Sequence, residues 1–140
     1  VAMARTWSLE LARANVTVNA IVPTAITAMT ATIPLYAPVA EAYARGEPLP
    51  PVVRRDHALG GPEDVAPLVV WLASDDAADV TGQAIAIGGD RLALYAHPTE
   101  VEVAFRDGGW TADAIAEAWR TTFAPHRQAS GIVLPPLPEG

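Results

Sequence analysis

Four residues at the end of one apolar run carry the clearest chemical signal: Thr24, Ile26, Thr27 and Thr30, directly after Pro23. In the run before them, Val16, Val18, Ala20 and Val22 alternate with Thr17, Asn19 and Ile21. β-Branched residues on both phases predict a strand over 16–22 that is covered on both faces. Pro23 lacks a backbone donor and should stop the ladder. In an open parallel sheet, ligands bind beyond the carboxyl ends of the strands, so this Thr-rich turn stands where a cofactor or substrate would lie.

Other residue types narrow the chemistry. There is no Cys, which excludes disulfides, thiolate nucleophiles and Cys-ligated zinc. All nine basic residues are Arg, so no Lys can serve as base, Schiff-base former or phosphate ligand. His57, His97 and His126 are far apart, with no metal-ligand spacing between any two, and are expected to be surface or hydrogen-bonded loop residues. Arg54, Arg55 and His57 could meet an anionic ligand, although such triplets are more often simply solvated. The net charge of −7 and the scattered Arg residues argue against nucleic acid, which wants a basic face.

The elements that would position the turn can be read in order. Met3, Ala4, Trp7, Leu11 and Ala14 recur at helical spacing, and Asn15 can take the left-handed conformation that ends a helix. Helix and strand then join with almost no connection. Residues 31–59, rich in Ala and Pro, predict a lid or binding segment, with a short helix over 37–45 and a breaker run over 48–51; a poorly ordered surface excursion is the equal alternative. Gly60-Gly61-Pro62-Glu63-Asp64 reads as a helix start, with Val65, Leu68, Val69 and Leu72 as its buried stripe. Val70 and Trp71 widen that stripe toward a second surface. Thr81-Gly82 leads into a strand over 83–87, closed by Gly88-Gly89-Asp90.

The remainder reads as an appendage: an extended segment or edge strand at Val101, Val103 and Phe105, a turn at Asp107-Gly108-Gly109, and a helix capped by Thr111 and ended by Pro125. The tail from Ser130, with Pro135, Pro136 and Pro138, is expected to be extended or disordered. A chain of 140 residues supports one domain with a core. No apolar run approaches the roughly 18 to 20 residues of a membrane span, and a soluble, cytoplasmic protein is expected.

Taken in order, these features resemble the carboxy-terminal half of a short-chain dehydrogenase/reductase over residues 1–90, with a helical extension over 91–129 and the tail over 130–140. The signatures are Val18-Asn19-Ala20-Ile21-Val22-Pro23, Pro62-Glu63-Asp64-Val65-Ala66 with Trp71-Leu72-Ala73-Ser74, and Val80-Thr81-Gly82-Gln83. Pro23, Thr27, Met29 and Thr30, the stretch 64–72 and the helix 110–119 further resemble the dehydrogenase portion of peroxisomal multifunctional enzyme type 2 and its bacterial relatives. The resemblance implies an α/β fold, the carboxy-terminal half of a Rossmann-like doubly wound parallel sheet.

The resemblance also implies NAD(P)-linked oxidation or reduction at a hydroxyl or ketone carbon, with 3-hydroxyacyl-CoA as a candidate substrate. Pro23, Thr24, Ile26 and Thr27 would be the cofactor-binding residues: the backbone at 24–26 flanking the nicotinamide and Thr27 bonding its carboxamide, with Asn19 structural. Thr24 departs from the family, where Gly is more common. The Gly-rich pyrophosphate turn, the catalytic Ser and the Tyr-x-x-x-Lys pair are all absent, since Tyr36, Tyr43 and Tyr95 have no Lys to follow. No catalytic residue is therefore assigned, and the isolated chain is expected to bind NAD or NADP weakly and to be inactive. It is further expected to form a homo-oligomer or dock on a missing amino-terminal half, through 62–74 and 83–87. The alternative is a non-catalytic binding or oligomerisation module derived from this fold.

Overall fold

The opening helix, α1 (Ala2–Glu10), continues through a 3-10 turn at Ala12–Ala14 and ends at Asn15, which takes the left-handed conformation at φ 53°. In this computed structural model, which describes residues 1–128 and 134–138, α1 buries its small residues. Ala4 and Ser8 are covered, while Met3, Trp7 and Leu11 face outward. The covered face sits close to Gly82, where any side chain would meet Ser8 Oγ at 2.8 Å.

The first strand, β1 (Ala20–Pro23), is shorter than the alternation suggests. Residues 16–19 lie outside it and are held by backbone and side-chain bonds together, with Gly82 N donating to the Val18 carbonyl at 2.7 Å. Thr81 Oγ1 accepts from the Val18 amide at 3.0 Å, and the Asn19 amide group donates to the Val80 carbonyl at 2.7 Å while its oxygen accepts from Gln83 N at 3.0 Å. Asn19 is thus a tie between two segments. The strand is half-buried at Ala20, Ile21 and Val22 and exposed at Pro23, so it is not covered on both faces as expected.

Pro23 does not stop the ladder either. It pairs with Ile87 as the last strand residue, and Thr24 N still donates to the Ile87 carbonyl at 2.9 Å. The physical reason is phase: Ala20 and Thr24, four apart, both donate toward the neighbouring strand, so the nitrogen of Pro23 falls on the opposite edge, where no donor is needed.

Three short helices follow: α2 (Ala28–Ala31), α3 (Ala37–Ala44) and α4 (Pro51–Arg55). They make the segment expected as a lid helical, and α3 begins where the sequence suggested. The Pro-rich run does not only break structure, because Pro51 opens α4 at a helical position whose N–H has no partner in any case. The buried cluster of Ile26, Ala40, Val53 and Leu59 lies here, with Tyr36, Val39, Tyr43, Leu49 and Val52 packed on it. The lid therefore carries a core of its own.

After a 3-10 turn at Pro62–Asp64 comes α5 (Ala66–Leu72). Leu68 is its buried residue, whereas Val69, expected in the stripe, is half-exposed like Trp71, and Val70 is 70% exposed. The second strand, β2 (Ala84–Gly88), pairs parallel to β1 in the register Ala20↔Ala84 to Pro23↔Ile87. A third strand, β3 (Arg91–Leu94), pairs antiparallel to β2 and was not anticipated. Gly89-Asp90 is a two-residue hairpin connection with Gly89 at φ 48°, a signal the sequence did carry. With the order β1-β2-β3, β2 is the central strand, so 83–87 is not a free edge.

The chain divides into two units, one comprising Val1–Ala96 with the tail from Leu134, the other His97–Val133. In the second unit Thr111 Oγ1 accepts from Ala114 N and caps α6 (Ala112–Ala118), as expected. The helix passes into a π-helical turn at Trp119–Phe123 and a 3-10 turn at Ala124–His126, so Pro125 lies within the closing turn rather than after it. Gly108 and Gly109 form the expected turn with positive φ. Val101, Val103 and Phe105 are exposed and belong to no strand among the described residues. Ser130, where the tail was expected to begin, lies outside the described residues. Among the described residues no helix is long and apolar enough to cross a membrane, and no cluster of His, Asp or Glu could hold a metal ion.

Candidate functional site

The turn after β1 is pinned from both sides. Thr24 N is spent on the Ile87 carbonyl at 2.9 Å and Ile26 N on the Gly60 carbonyl at 2.7 Å. Ile26 turns its side chain into the buried cluster, while Thr24 and Ala25 stay half-buried. A side chain at Gly88 would collide with the carbonyl oxygens of Thr24 and Ala58, so glycine is what lets the end of β2 approach both segments. Ala58 is itself held at φ 55°, a conformation that costs about 1 to 2 kcal/mol in a residue with a Cβ. The lid's return is therefore a tight fit against the strand ends.

Thr27 is the N-cap of α2 and is exposed. Its Oγ1 accepts from Thr30 N at 3.4 Å and lies 3.3 Å from Thr30 Oγ1, which donates to the Ala25 carbonyl at 2.7 Å. A hydroxyl has one proton, so Thr30 has none left and Thr27 must be the donor between them. What Thr27 can offer a ligand without breaking the turn is an acceptor lone pair. Pro23, exposed and without an N–H, adds an apolar neighbour at the strand end. Along this turn Pro23 and Thr27 are exposed and Thr24 is half-buried, whereas Ile26 is buried.

The exposed Pro23 edge and the Thr27 acceptor are of the kinds that the nicotinamide end of a dinucleotide would need. They do not supply the pyrophosphate cradle. Among the described residues the one glycine pair that opens a helical segment is Gly60-Gly61, and its amide is occupied, because Asp64 Oδ2 accepts from Gly61 N at 3.0 Å. Glu63 and Asp64 also place negative charge where a phosphate would go.

The Arg54, Arg55 and His57 triplet does not assemble an anion site. Arg54 donates to Asp90 at 2.7 Å and through two nitrogens to Asp64 at 3.3 Å, tying α4 to the helix start and the hairpin turn. The hydrogen bond to Asp90, then that to Asp64, holds the guanidinium pKa above its ordinary value. Arg55 is exposed, and His57 is buried between Tyr36 and the tail. Nearby, Tyr43 donates to Glu63 at 2.7 Å, which lowers the carboxyl pKa and raises that of the phenol. The sequence carried no sign of the Tyr36, His57 and Pro135 connection, since its partners are 21 and 78 residues apart.

Comparison with known proteins places this geometry. The family described as enoyl-(acyl carrier protein) reductase matches residues 1–89. The chain is 40% identical over 90 residues to a 3-oxoacyl-[acyl-carrier-protein] reductase of Thermotoga maritima, covering 64% of this chain and 33% of that protein. It is 49% identical over 61 residues to a probable short-chain type dehydrogenase/reductase of Bradyrhizobium diazoefficiens, covering 41% and 21%. The crystal structure of a short chain dehydrogenase from Mycobacterium avium superposes with a TM-score of 0.57 at 25% identity, over 98% of this chain and 36% of that one. The chain spans about a third or less of these relatives' length. The small mixed sheet with its helices is a piece of a Rossmann-like fold.

Proposed function

We propose, since this chain belongs to the short-chain dehydrogenase/reductase family, that it forms the nicotinamide wall and lid of an NAD(P)-dependent oxidoreductase that interconverts a hydroxyl and a ketone on an acyl thioester. The observation that supports this reading is the pinned turn at the carboxyl end of β1, with Thr24 N and Ile26 N held by the Ile87 and Gly60 carbonyls and Thr27 exposed beside them. The cofactor, when bound, supplies or takes up a hydride at the carbonyl carbon. This chain's own part is to orient: 24–26 as a stiff wall, Thr27 accepting from a carboxamide N–H, and the lid excluding water. The printed name of the Thermotoga maritima relative, a 3-oxoacyl reductase, is consistent with the 3-hydroxyacyl and 3-oxoacyl pair. CoA as the carrier and a cytoplasmic setting belong to the same proposal.

The proton-transferring Tyr and the pyrophosphate turn are not in this sequence, so the chain alone is proposed to be inactive and to bind NAD(H) or NADP(H) weakly. A graft tests the reading directly: the matched stretch of 90 residues replaces its counterpart in the Thermotoga maritima reductase, and nicotinamide oxidation is followed with acetoacetyl-CoA. Turnover retained within an order of magnitude supports the proposal. A folded chimera that binds cofactor but turns over no 3-oxoacyl thioester overturns it.

The second reading, a binding or oligomerisation module, is favoured by one observation. Trp71, Leu92 and Leu94 line an apolar hollow of about 400 Å³ on the surface formed by α5 and β3. A homo-oligomer through this face, or docking of the outward side of α1 on a nucleotide-binding half, is compatible with the enzymatic reading as well.

A further inference from the structure

Residues 134–138 close over the lid rather than leaving it. His57, buried in the lid, sets Nε2 2.8 Å from the Pro135 carbonyl oxygen. A carbonyl only accepts, so Nε2 carries the proton, and in the neutral ring Nδ1 is then an acceptor. The Tyr36 hydroxyl, 3.3 Å away, donates to it, and the two rings meet edge to face at 5.8 Å. Two residues on, Leu137 packs against the lid cluster. With Pro138 it walls one side of a hollow of about 540 Å³ whose other sides include Leu35, Val39, Leu49 and Val53.

We propose that residues 134–138 are a removable latch, in which Leu137 occupies one end of a site for an unbranched acyl chain within the lid. The hollow is within the size range of small-ligand sites, and every residue lining it is apolar, so a charged or polar ligand would lose its hydration without replacement. A hydrocarbon chain loses nothing. Pro34, Pro38 and Pro50 stand in its walls, and their fixed φ angles resist collapse when the hollow empties. The latch is built for release. Pro135, Pro136 and Pro138 have no N–H to join a ladder, so among the described residues the segment is held by the His57 hydrogen bond to the Pro135 carbonyl and by the packing of Leu137. The acyl chain is chosen on the acyl-thioester reading above. The latch itself does not depend on redox chemistry.

Decanoate, which has neither thioester nor 3-oxo group, separates the two. Calorimetry on the full chain should show saturable binding that strengthens from hexanoate to decanoate and becomes roughly tenfold tighter in Leu137→Ala, as the leucine no longer competes. In the unaltered chain, the methyl signals of Leu137 and the His57 ring signals should move along the same saturation curve. No binding in either chain overturns the proposal. So does binding that is unchanged or weaker in Leu137→Ala alongside a lowered melting temperature, because the tail is then only a piece of the core. Should Leu137→Ala fail to fold, the unaltered chain decides: Leu137 signals that stay in place at saturation refute the latch. Failure of the graft, with decanoate displacing the tail, would remove the reductase reading and leave the latch standing.

Discussion

Thr27 has two functions in the structure, and they can be separated by measurement. As the cap of α2 it accepts from Thr30 N, so Thr27→Ala should lower stability by about 1 kcal/mol. As an acceptor for the cofactor it should, in a chimera that binds NAD(P)H, also weaken binding by about 0.5 to 1.5 kcal/mol. Unchanged affinity with a lowered melting temperature would reduce Thr27 to its capping role. Arg54 serves Asp64 and Asp90 together, with all three side chains partly solvated, so Arg54→Met should destabilise by about 1 to 2 kcal/mol. An unaffected denaturation midpoint would show that solvent screens the node completely.

The Tyr43 and Glu63 pair gives a pH signature. Its hydrogen bond from Tyr43 is the main reason the folded Glu63 carboxyl lies below its ordinary 4.5. The bond's contribution is thus whole above about pH 4.5 and is lost as pH falls through the lowered folded value. Tyr43→Phe should lower the melting temperature at neutral pH, and the gap to the parent should narrow as the pH falls below about 4.5. A gap that stays constant over that range would mean Glu63 is not the group involved.

At the level of elements, the hairpin after β2 and the return of the lid depend on each other. Gly89, at φ 48°, lies against the carbonyl oxygens of Arg54 and Leu59, and Asp90 N donates to that same Arg54 oxygen at 3.0 Å. Gly89→Ala would add both a strained φ and a collision with backbone, for about 2 to 4 kcal/mol of lost stability. The damage should spread from β3 to α4. Hydrogen exchange that quickens in β3 alone, with 51–59 still protected, would show that the hairpin and the lid are independent.

For the whole molecule, the balance of buried and exposed apolar surface points outward. Val70, Trp71, Leu92 and Leu94 are exposed on the unit that holds α5 and β3, and patches of this kind mark association sites. The expected result is a dimer or larger species at micromolar concentration in sedimentation. Leu92→Glu, at a position 67% exposed, should dissociate it without lowering the melting temperature of the chain. A parent chain that sediments as a cooperatively unfolding monomer would refute this assignment of the face.

Much of this was legible in the sequence because the interactions are local. The left-handed Asn15, the helix at 37–44, the cap at Thr111 and the turn at Gly108-Gly109 each depend on residues within a few positions, where dihedral preference and hydrogen-bond reach suffice. The end of the strand near Pro23 was legible too, although Pro23 itself stays paired because its nitrogen faces the opposite edge. What lay beyond that reach was decided by tertiary contact. Alternation over 16–22 could not show that Val18 and Asn19 would be bound by Thr81, Val80 and Gln83 instead of a neighbouring strand. Helical spacing could place Val69 and Trp7 on a stripe, but not say which side of the stripe a partner would cover. Arg54 could be read as a cation for a ligand or, more often, as a solvated charge; folding instead brought Asp64 and Asp90, 10 and 36 residues away, to its guanidinium. Periodicity reports which residues share a face; only the closed chain, where distant charges and strand edges meet, settles what that face is for.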